Sequence, residues 1–198
     1  MPLARRTAIS TLVCAALLGP AAAAADAGPA LQARYRADAT KVQARIALGS
    51  IRTAKPPVAR VAQQDCPDAD LEPTGGNEPQ IRAAILCLHN QIRAQRGLPL
   101  LHENVKLRRA AIGQSNDMVT RRFFDHTTPD GVTMVDRITR ARYVNPRVGW
   151  SLGENLAWGT GDLGTPRGVM NAWMNSPGHR ANILKRSYRE VGIGIATG

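Results

Sequence analysis

Apolar residues recur at helical spacing along the middle of the chain. The run Ile81–Ile92 places large aliphatic side chains three or four positions apart, and it predicts a helix that Asn77 can cap and Gly97 ends. The run Leu107–Met118 has the same spacing and predicts a second helix, which begins at Asn104. Both helices should therefore present one face to a core.

Two shorter helices are predicted mainly from their caps. Thr133 and Asp136 have the spacing of a capping box. The dipeptide Thr165–Pro166 pairs a cap with a proline in the first helical position, and it opens a helix that runs through Trp173. We expect Ser176–Gly178 to end that helix.

Two segments alternate at the period of a β-strand. In Val191–Ala196, β-branched residues fall on one face, and glycine and alanine fall on the other, which lets a helix or strand approach the backbone closely. Trp150–Ala157 predicts a second strand. Helices followed by a few strands indicate an α+β fold with helices packed on a small sheet.

The amino terminus has the pattern of a secretory signal peptide. Two arginines precede the apolar run Ala8–Leu18, and the stretch Ala21–Ala27 offers cleavage sites of the Ala-x-Ala type. The run is too short to span a bilayer, so residues 1–27 are predicted to be removed and no transmembrane segment is expected afterwards. Lipidation at Cys14 is the alternative, and the bulky Val13 before it disfavours that reading.

The rest of the chain divides into two parts. Residues 28–64 are rich in alanine and arginine with few large apolar side chains, which predicts a linker or pro-segment. Residues 65–198 form the predicted domain. After cleavage only Cys66 and Cys87 remain, and an even pair in an exported chain predicts a disulfide.

The chain is strongly basic, with a formal net charge of +11. Nucleic-acid binding is disfavoured because the basic residues are spread along the chain and aromatic residues make up only 4% of it, too few for a base-stacking surface. A cationic exported protein should instead adhere to an anionic cell-wall component or to lipid headgroups. We therefore expect a secreted protein located outside the cell or in the cell envelope.

Three turn-rich strings carry the candidate chemistry. They are FFDHTTPDG at Phe123–Gly131, GENLAWG at Gly153–Gly159 and AWMNSPGHRANIL at Ala172–Leu184. Each contributes one acid–base or metal-ligating side chain, and these are His126, Glu154 and His179. The alternative for each is a local structural role: His126 anchoring its own loop, Glu154 satisfying backbone donors in a turn, and His179 capping a short helix.

These strings, with HNQIRAQRGLPLL (His89–Leu101) and VGIGIA (Val191–Ala196), resemble the bacterial branch of the CAP superfamily. That superfamily comprises the SCP-like extracellular proteins related to pathogenesis-related protein 1 and the cysteine-rich secretory proteins. The resemblance implies a three-layer α-β-α sandwich with a small antiparallel central sheet. It also implies a cleft lined by two histidines and two glutamates, which holds a divalent metal in some members.

Three of the four cleft residues carry over by position. His126, Glu154 and His179 match the two histidines and the first glutamate, whereas Ser176 stands where the second glutamate is expected. Two imidazoles, one carboxylate and a water can form an open Zn²⁺ site, but the lost carboxylate disfavours hard cations. No nucleophile elbow frames Ser176, so a serine-hydrolase reading is weak.

Two functions remain open at this point. The first is a secreted binding module whose His/Glu cleft takes a divalent metal, a small or lipid-like ligand, or a wall polymer. The alternative is a secreted, metal-assisted, peptidase-like hydrolase with Glu154 as general base. The sequence also ends where the family usually continues into another strand, so Val191–Ala196 is expected to be an exposed sheet edge unless the chain is truncated.

Overall fold

The computed structural model describes residues 65–144 and 149–198, together with the backbone pairing of residues 7–17. The predicted linker or pro-segment lies outside the described residues. The elements in chain order are β1 (Thr7–Leu17), α1 (Glu78–Ala94), β2 (His102–Glu103), α2 (Val105–Arg121), α3 (Met134–Arg140), β3 (Gly149–Gly159), a 3₁₀ turn (Gly161–Gly164), α4 (Pro166–Asn175), α5 (Pro177–Ile183) and β4 (Glu190–Thr197). Among the described residues, no helix is both long and apolar enough to cross a membrane.

A single small sheet runs through the middle of these elements. Its strand order is β2-β4-β1-β3, so β3 lies at one edge. β1 pairs antiparallel with both β3 and β4, and the two-residue β2 pairs parallel with β4. The predicted α+β fold with a small central sheet is confirmed, and the parallel β2 pairing is the one departure from a purely antiparallel sheet.

The two faces of β4 receive different helices, which creates the three layers. Val191, Ile193 and Ile195 are buried in a core with residues of α1, α4 and α5. On the other face, a Cβ added at Gly192 or Gly194 would overlap the backbone of α2. The prediction that the glycine face admits a close backbone approach is therefore confirmed.

Most of the predicted caps are present. Asn104 accepts hydrogen bonds from the backbone of the first turn of α2, Thr133 and Asp136 form a complete capping box, and Thr165 caps α4. Asn77 occupies the N-cap position of α1, but its side chain bonds the preceding loop instead of the helix.

The predicted break at Ser176–Gly178 is only partly correct. α4 does end there, but α5 begins at once, with Pro177 in its first turn. Proline lacks the N–H that the first helical turn leaves unpaired anyway, so it can start a helix as readily as it stops one.

The amino-terminal run is part of the sheet in the full chain. Thr7–Leu17 forms β1 between β3 and β4, although we expected this segment to lie outside the fold. The expected edge at Val191–Ala196 is covered only in part, because β1 pairs with β4 on one side, whereas on the other side β2 pairs only with Glu190 and Val191. An uncharged apolar run can satisfy the hydrogen bonds of two neighbouring strands at once. The cleavage of residues 1–27 stays a prediction.

The predicted disulfide is present. Cys66 and Cys87 are joined with a Cα–Cα distance of 5.7 Å and a sequence separation of 21 residues. Cys87 lies on α1, and Cys66 belongs to the segment that enters the domain, packed against the core of α1, α4 and β4. The bridge therefore fastens the start of the domain to its first helix.

Candidate functional site

A buried ion pair forms the floor of the site. Nη2 of Arg137 donates to both carboxylate oxygens of Glu154, at 2.8 Å and 2.9 Å. The two side chains are only 8% and 2% exposed. A charge this deeply buried needs a partner of opposite sign, and each residue supplies it for the other.

Local sequence patterns explain why these two side chains meet. Glu154 lies on β3 between Leu152 and Leu156, which share its face and pack against residues of the α2–α3 layer. Arg137 lies beside Ile138 on the buried side of α3. The strand and the short helix therefore direct a carboxylate and a guanidinium into the same layer.

His126 connects this pair to the surface. Its Nδ1 lies 2.8 Å from Oε2 of Glu154, and its side chain is 56% exposed. Two hydrogen bonds hold the backbone of the loop that carries His126. Arg137 donates to the His126 carbonyl at 2.9 Å, and Gln114 donates to the Asp125 carbonyl at 2.7 Å. The hydrogen bond to Glu154 raises the pKa of His126, while partial burial opposes this.

His179 reaches the site from the opposite layer. It lies on α5, which is tied to β3 because Asn155 donates to the His179 carbonyl at 3.1 Å and Asn182 donates to the Asn155 side chain at 2.9 Å. Burial and then the charge of His126 lower the pKa of His179. β3 lies at the edge of the sheet, so charged side chains in the layers on its two sides can influence each other around that edge. We call this region the β3-edge cleft and define it by His126, Arg137, Glu154 and His179.

Ser176 has a different position from the three other sequence-predicted residues. It is the N-cap of α5, and its hydroxyl makes no capping hydrogen bond. The hydrogen bonds of the described residues do not connect it to His126 or Glu154. Ser176 therefore begins the helix that carries His179, and among the described residues no hydrogen bond joins its hydroxyl to a base.

The donor set does not fit a resident metal in this arrangement. Both oxygens of Glu154 already accept from Arg137, and one also meets His126. Among the described residues, no group of three or more His, Cys, Asp or Glu is placed to hold an ion. A Zn²⁺ ion at His126, His179 and Glu154 would have to displace a buried guanidinium, so the zinc prediction is not supported by the geometry.

Arg137 is the site residue that sequence reasoning missed. Its signal was present in the helical pattern, because Met134, Arg137, Ile138 and Ala141 follow the spacing of a buried face. An arginine within such a face needs buried acceptors for its guanidinium, and a carboxylate is the acceptor of opposite charge. Glu154, also set between apolar residues, was the candidate.

The geometry limits what each group can do chemically. Glu154 is shielded from solvent and saturated with donors, so it can orient and stabilise His126 but cannot itself reach a substrate. The His126 ring has one nitrogen on Glu154, which leaves the other to meet a ligand, as a donor when protonated or as an acceptor when neutral. A ligand contact or a proton transfer at this pair would therefore involve His126.

Two curated relatives match this chain over about half of its length. The uncharacterized protein YkwD of Bacillus subtilis (strain 168) is 35% identical over 107 residues, which cover 54% of this chain and 39% of YkwD. The uncharacterized membrane protein YlbC of the same organism is 32% identical over 111 residues, covering 56% of this chain and 30% of YlbC. The chain therefore spans well under half of the length of these relatives.

A solved structure agrees with the fold. An extracellular protein containing an SCP domain, from Bacillus anthracis str. Ames, superposes with a TM-score of 0.50 at 29% identity, covering 59% of this chain and 39% of that one. The sequence model of the cysteine-rich secretory protein family, CAP, matches residues 86–198. With the layered fold also in place, this chain belongs to the CAP family.

Proposed function

We propose that the protein is an extracellular binding module whose β3-edge cleft recognises a small ligand that carries an acidic group. The observation that carries this proposal is the saturation of Glu154 by Arg137 and His126. With that carboxylate neutralised by the guanidinium, the group offered to a ligand is the half-exposed imidazole of His126. Protonation makes it a cation, and an anionic ligand then gains a charge-assisted hydrogen bond.

The extracellular assignment is part of the same proposal. It is supported by the signal-like amino terminus, by the disulfide between Cys66 and Cys87, and by the extracellular neighbour from Bacillus anthracis. An anionic cell-wall component remains the proposed wider partner, since the net charge of +11 favours association with polyanions.

Titration calorimetry with a panel of small carboxylates and phosphates tests the cleft. Affinity should fall as pH rises through the pKa of His126, because the imidazole loses its charge. His126→Gln should weaken binding by roughly ten- to hundredfold, the cost of a lost charge-assisted hydrogen bond. His102→Gln is the matched control, since His102 is an exposed histidine of β2 outside the cleft.

Two results would overturn this proposal. One is the same affinity in His126→Gln and in the parent protein. The other is binding that requires added Zn²⁺ and disappears with a chelator, which would show that a metal ion replaces Arg137 beside the Glu154 carboxylate.

A hydrolase is the second candidate, and the orientation of His126 by Glu154 favours it. A carboxylate on one imidazole nitrogen is the arrangement that positions a general base. The base would then be His126 and not the buried Glu154. Turnover of peptide or ester substrates that is lost in His126→Gln, and retained in His102→Gln, would establish this function in place of simple binding.

A further inference from the structure

A buried arginine holds two turns of the chain together. Arg93 near the end of α1 is fully buried, and its guanidinium donates to four backbone carbonyls. Those carbonyls belong to Pro99, Ile183, Lys185 and Tyr188. The turn after α1 and the turn between α5 and β4 are therefore held side by side.

The guanidinium of Arg189 shares one of the carbonyl acceptors of Arg93. Arg93 and Arg189 each donate to the Tyr188 carbonyl at 3.0 Å. Burial, and then the positive charge of Arg189, lowers the pKa of Arg93. Two cations sharing one carbonyl, without a carboxylate bonded to either, create a positive potential that an anion would relieve.

Exposed side chains on the same two turns extend this positive surface, which we call the basic corner. It is defined by Arg96, Leu100, Lys185, Arg186 and Arg189, all of which are exposed. Residues 79–102 and 163–189, which include both turns, contain no aspartate or glutamate. The described ion pairs do not include any of the four basic residues.

The acidic residues that follow each turn are engaged elsewhere. Glu103 bonds Arg108 at 2.9 Å, and Glu190 accepts from the Tyr143 hydroxyl and the Asn104 amide. Neither carboxylate is directed to the basic corner. The charge there is consequently left for an external partner.

We propose that the basic corner docks the protein on the surface of an anionic lipid bilayer. The basic corner combines cations with an apolar side chain, because Leu100 on the same pair of turns is 46% exposed. Stable attachment of a peripheral protein takes two such signals, electrostatic attraction and apolar insertion. This surface is separate from His126 and does not depend on the proposed function of the cleft.

Co-sedimentation of the full chain with lipid vesicles tests the docking. The parent protein should bind vesicles of phosphatidylcholine that contain phosphatidylglycerol far more tightly than vesicles of phosphatidylcholine alone. Raising the ionic strength from about 0.1 M to about 1 M, which shortens the Debye length from about 10 Å to about 3 Å, should release it. Because Arg5 and Arg6 precede the amino-terminal apolar run, its contribution is controlled by variants of the domain that keep this run unchanged.

Substitution assigns the binding to this surface. The triple variant Arg96→Gln, Lys185→Gln, Arg186→Gln should bind anionic vesicles on the order of 100-fold more weakly, since each basic residue near such a surface contributes to the attraction. Lys106→Gln, Arg109→Gln, Arg140→Gln removes the same charge from exposed positions on α2 and α3 and should weaken binding only a few-fold. Circular dichroism and thermal unfolding of both triples verify that each is folded.

Three outcomes would overturn the proposal. The first is the absence of binding to anionic vesicles. The second is an equal loss of vesicle affinity in the two triple variants, which would show that binding depends only on the net charge of the protein. The third is tight binding to a soluble polyphosphate with none to vesicles, which would identify the partner of the basic corner as a polyanion instead of a bilayer.

Discussion

At the scale of single residues, the buried ion pair of Arg137 and Glu154 constrains the site most strongly, and substitution tests its contribution to stability directly. Arg137→Met should lower the free energy of unfolding by about 3–5 kcal/mol, because it leaves the Glu154 carboxylate buried without its cation. Urea denaturation at neutral pH measures this change. Arg109→Met, at an exposed position on α2, should change stability by less than about 0.5 kcal/mol.

A double substitution distinguishes the cost of an unpaired buried charge from the cost of lost packing. Arg137→Met combined with Glu154→Gln should be more stable than Arg137→Met alone, since a neutral amide costs less to bury than an unpaired carboxylate. If the double variant were less stable than the single one, the buried charge would not be the cause of the loss.

The two cleft histidines should titrate on opposite sides of the ordinary imidazole value near 6.5. The pKa of His126 is raised, chiefly by its hydrogen bond to Glu154, and the pKa of His179 is lowered, chiefly by burial. Nuclear magnetic resonance of the imidazole protons across the pH range checks both directions. In Glu154→Gln, the His126 pKa should return towards 6.5.

The sign of the stability effect follows from linkage. His126 has a folded pKa above its unfolded value, so its stabilising contribution is complete below about pH 6.5 and disappears as pH rises through the folded pKa. His179 behaves in the opposite way, and its contribution is present above about pH 6.5 and disappears as pH falls through the lowered pKa. A His126 pKa at or below 6.5 would contradict the hydrogen bond to Glu154.

At the scale of elements, the contact between β4 and α2 depends on the absence of side chains. Gly194→Ala should destabilise the protein by about 1–3 kcal/mol or more, because the added Cβ would overlap the backbone of Ala111 and Ile112. Thermal unfolding measures the loss. Gly113→Ala, on the exposed side of α2 where a Cβ meets nothing, should instead stabilise by up to about 1 kcal/mol.

The elements also show where local sequence suffices. The caps at Asn104, Thr133 and Thr165 were predicted correctly, since a side chain bonding a backbone N–H two or three residues away involves only neighbouring atoms. The predicted cap at Asn77 was wrong, because its side-chain oxygen accepts from the Thr74 N–H in the preceding loop instead of from the helix. The start of α5 was missed because Pro177 fits both a helix end and a helix start, and only the packing against β3 distinguishes them.

At the scale of the whole molecule, a buried histidine should make the fold sensitive to acid. His89 on α1 is fully buried beside Trp173, its Nδ1 lies 2.9 Å from the Ile85 carbonyl, and its Nε2 has no described partner. Burial, with a smaller effect from the charge of Arg93, lowers the pKa of His89 to about 4.

Linkage fixes the direction of the effect. A lowered folded pKa means that the stability associated with neutral His89 is present above about pH 6.5 and is lost as pH falls towards 4. The loss over this interval should be on the order of 3 kcal/mol. Urea denaturation at a series of pH values measures it, and a variant with His89→Gln should lose less over the same interval, whereas exposed His102→Gln should follow the parent protein.

The sequence by itself determined the helices with periodic apolar faces, the strand with one glycine face, the disulfide, and the family. These features depend on patterns among residues close together in the sequence and on residue types whose chemistry indicates their structural role. It also identified His126, Glu154 and His179 as residues of interest. It could not show how they are joined.

Only the tertiary structure decided which groups are available. It brought Arg137 from α3 onto Glu154 of β3, and so converted a candidate metal ligand and general base into a buried support for His126. It also placed His179 in the other layer and gathered the basic corner around Arg93. These outcomes depend on contacts between residues far apart in the chain, and neither residue spacing nor composition records which opposite charge a buried group will meet.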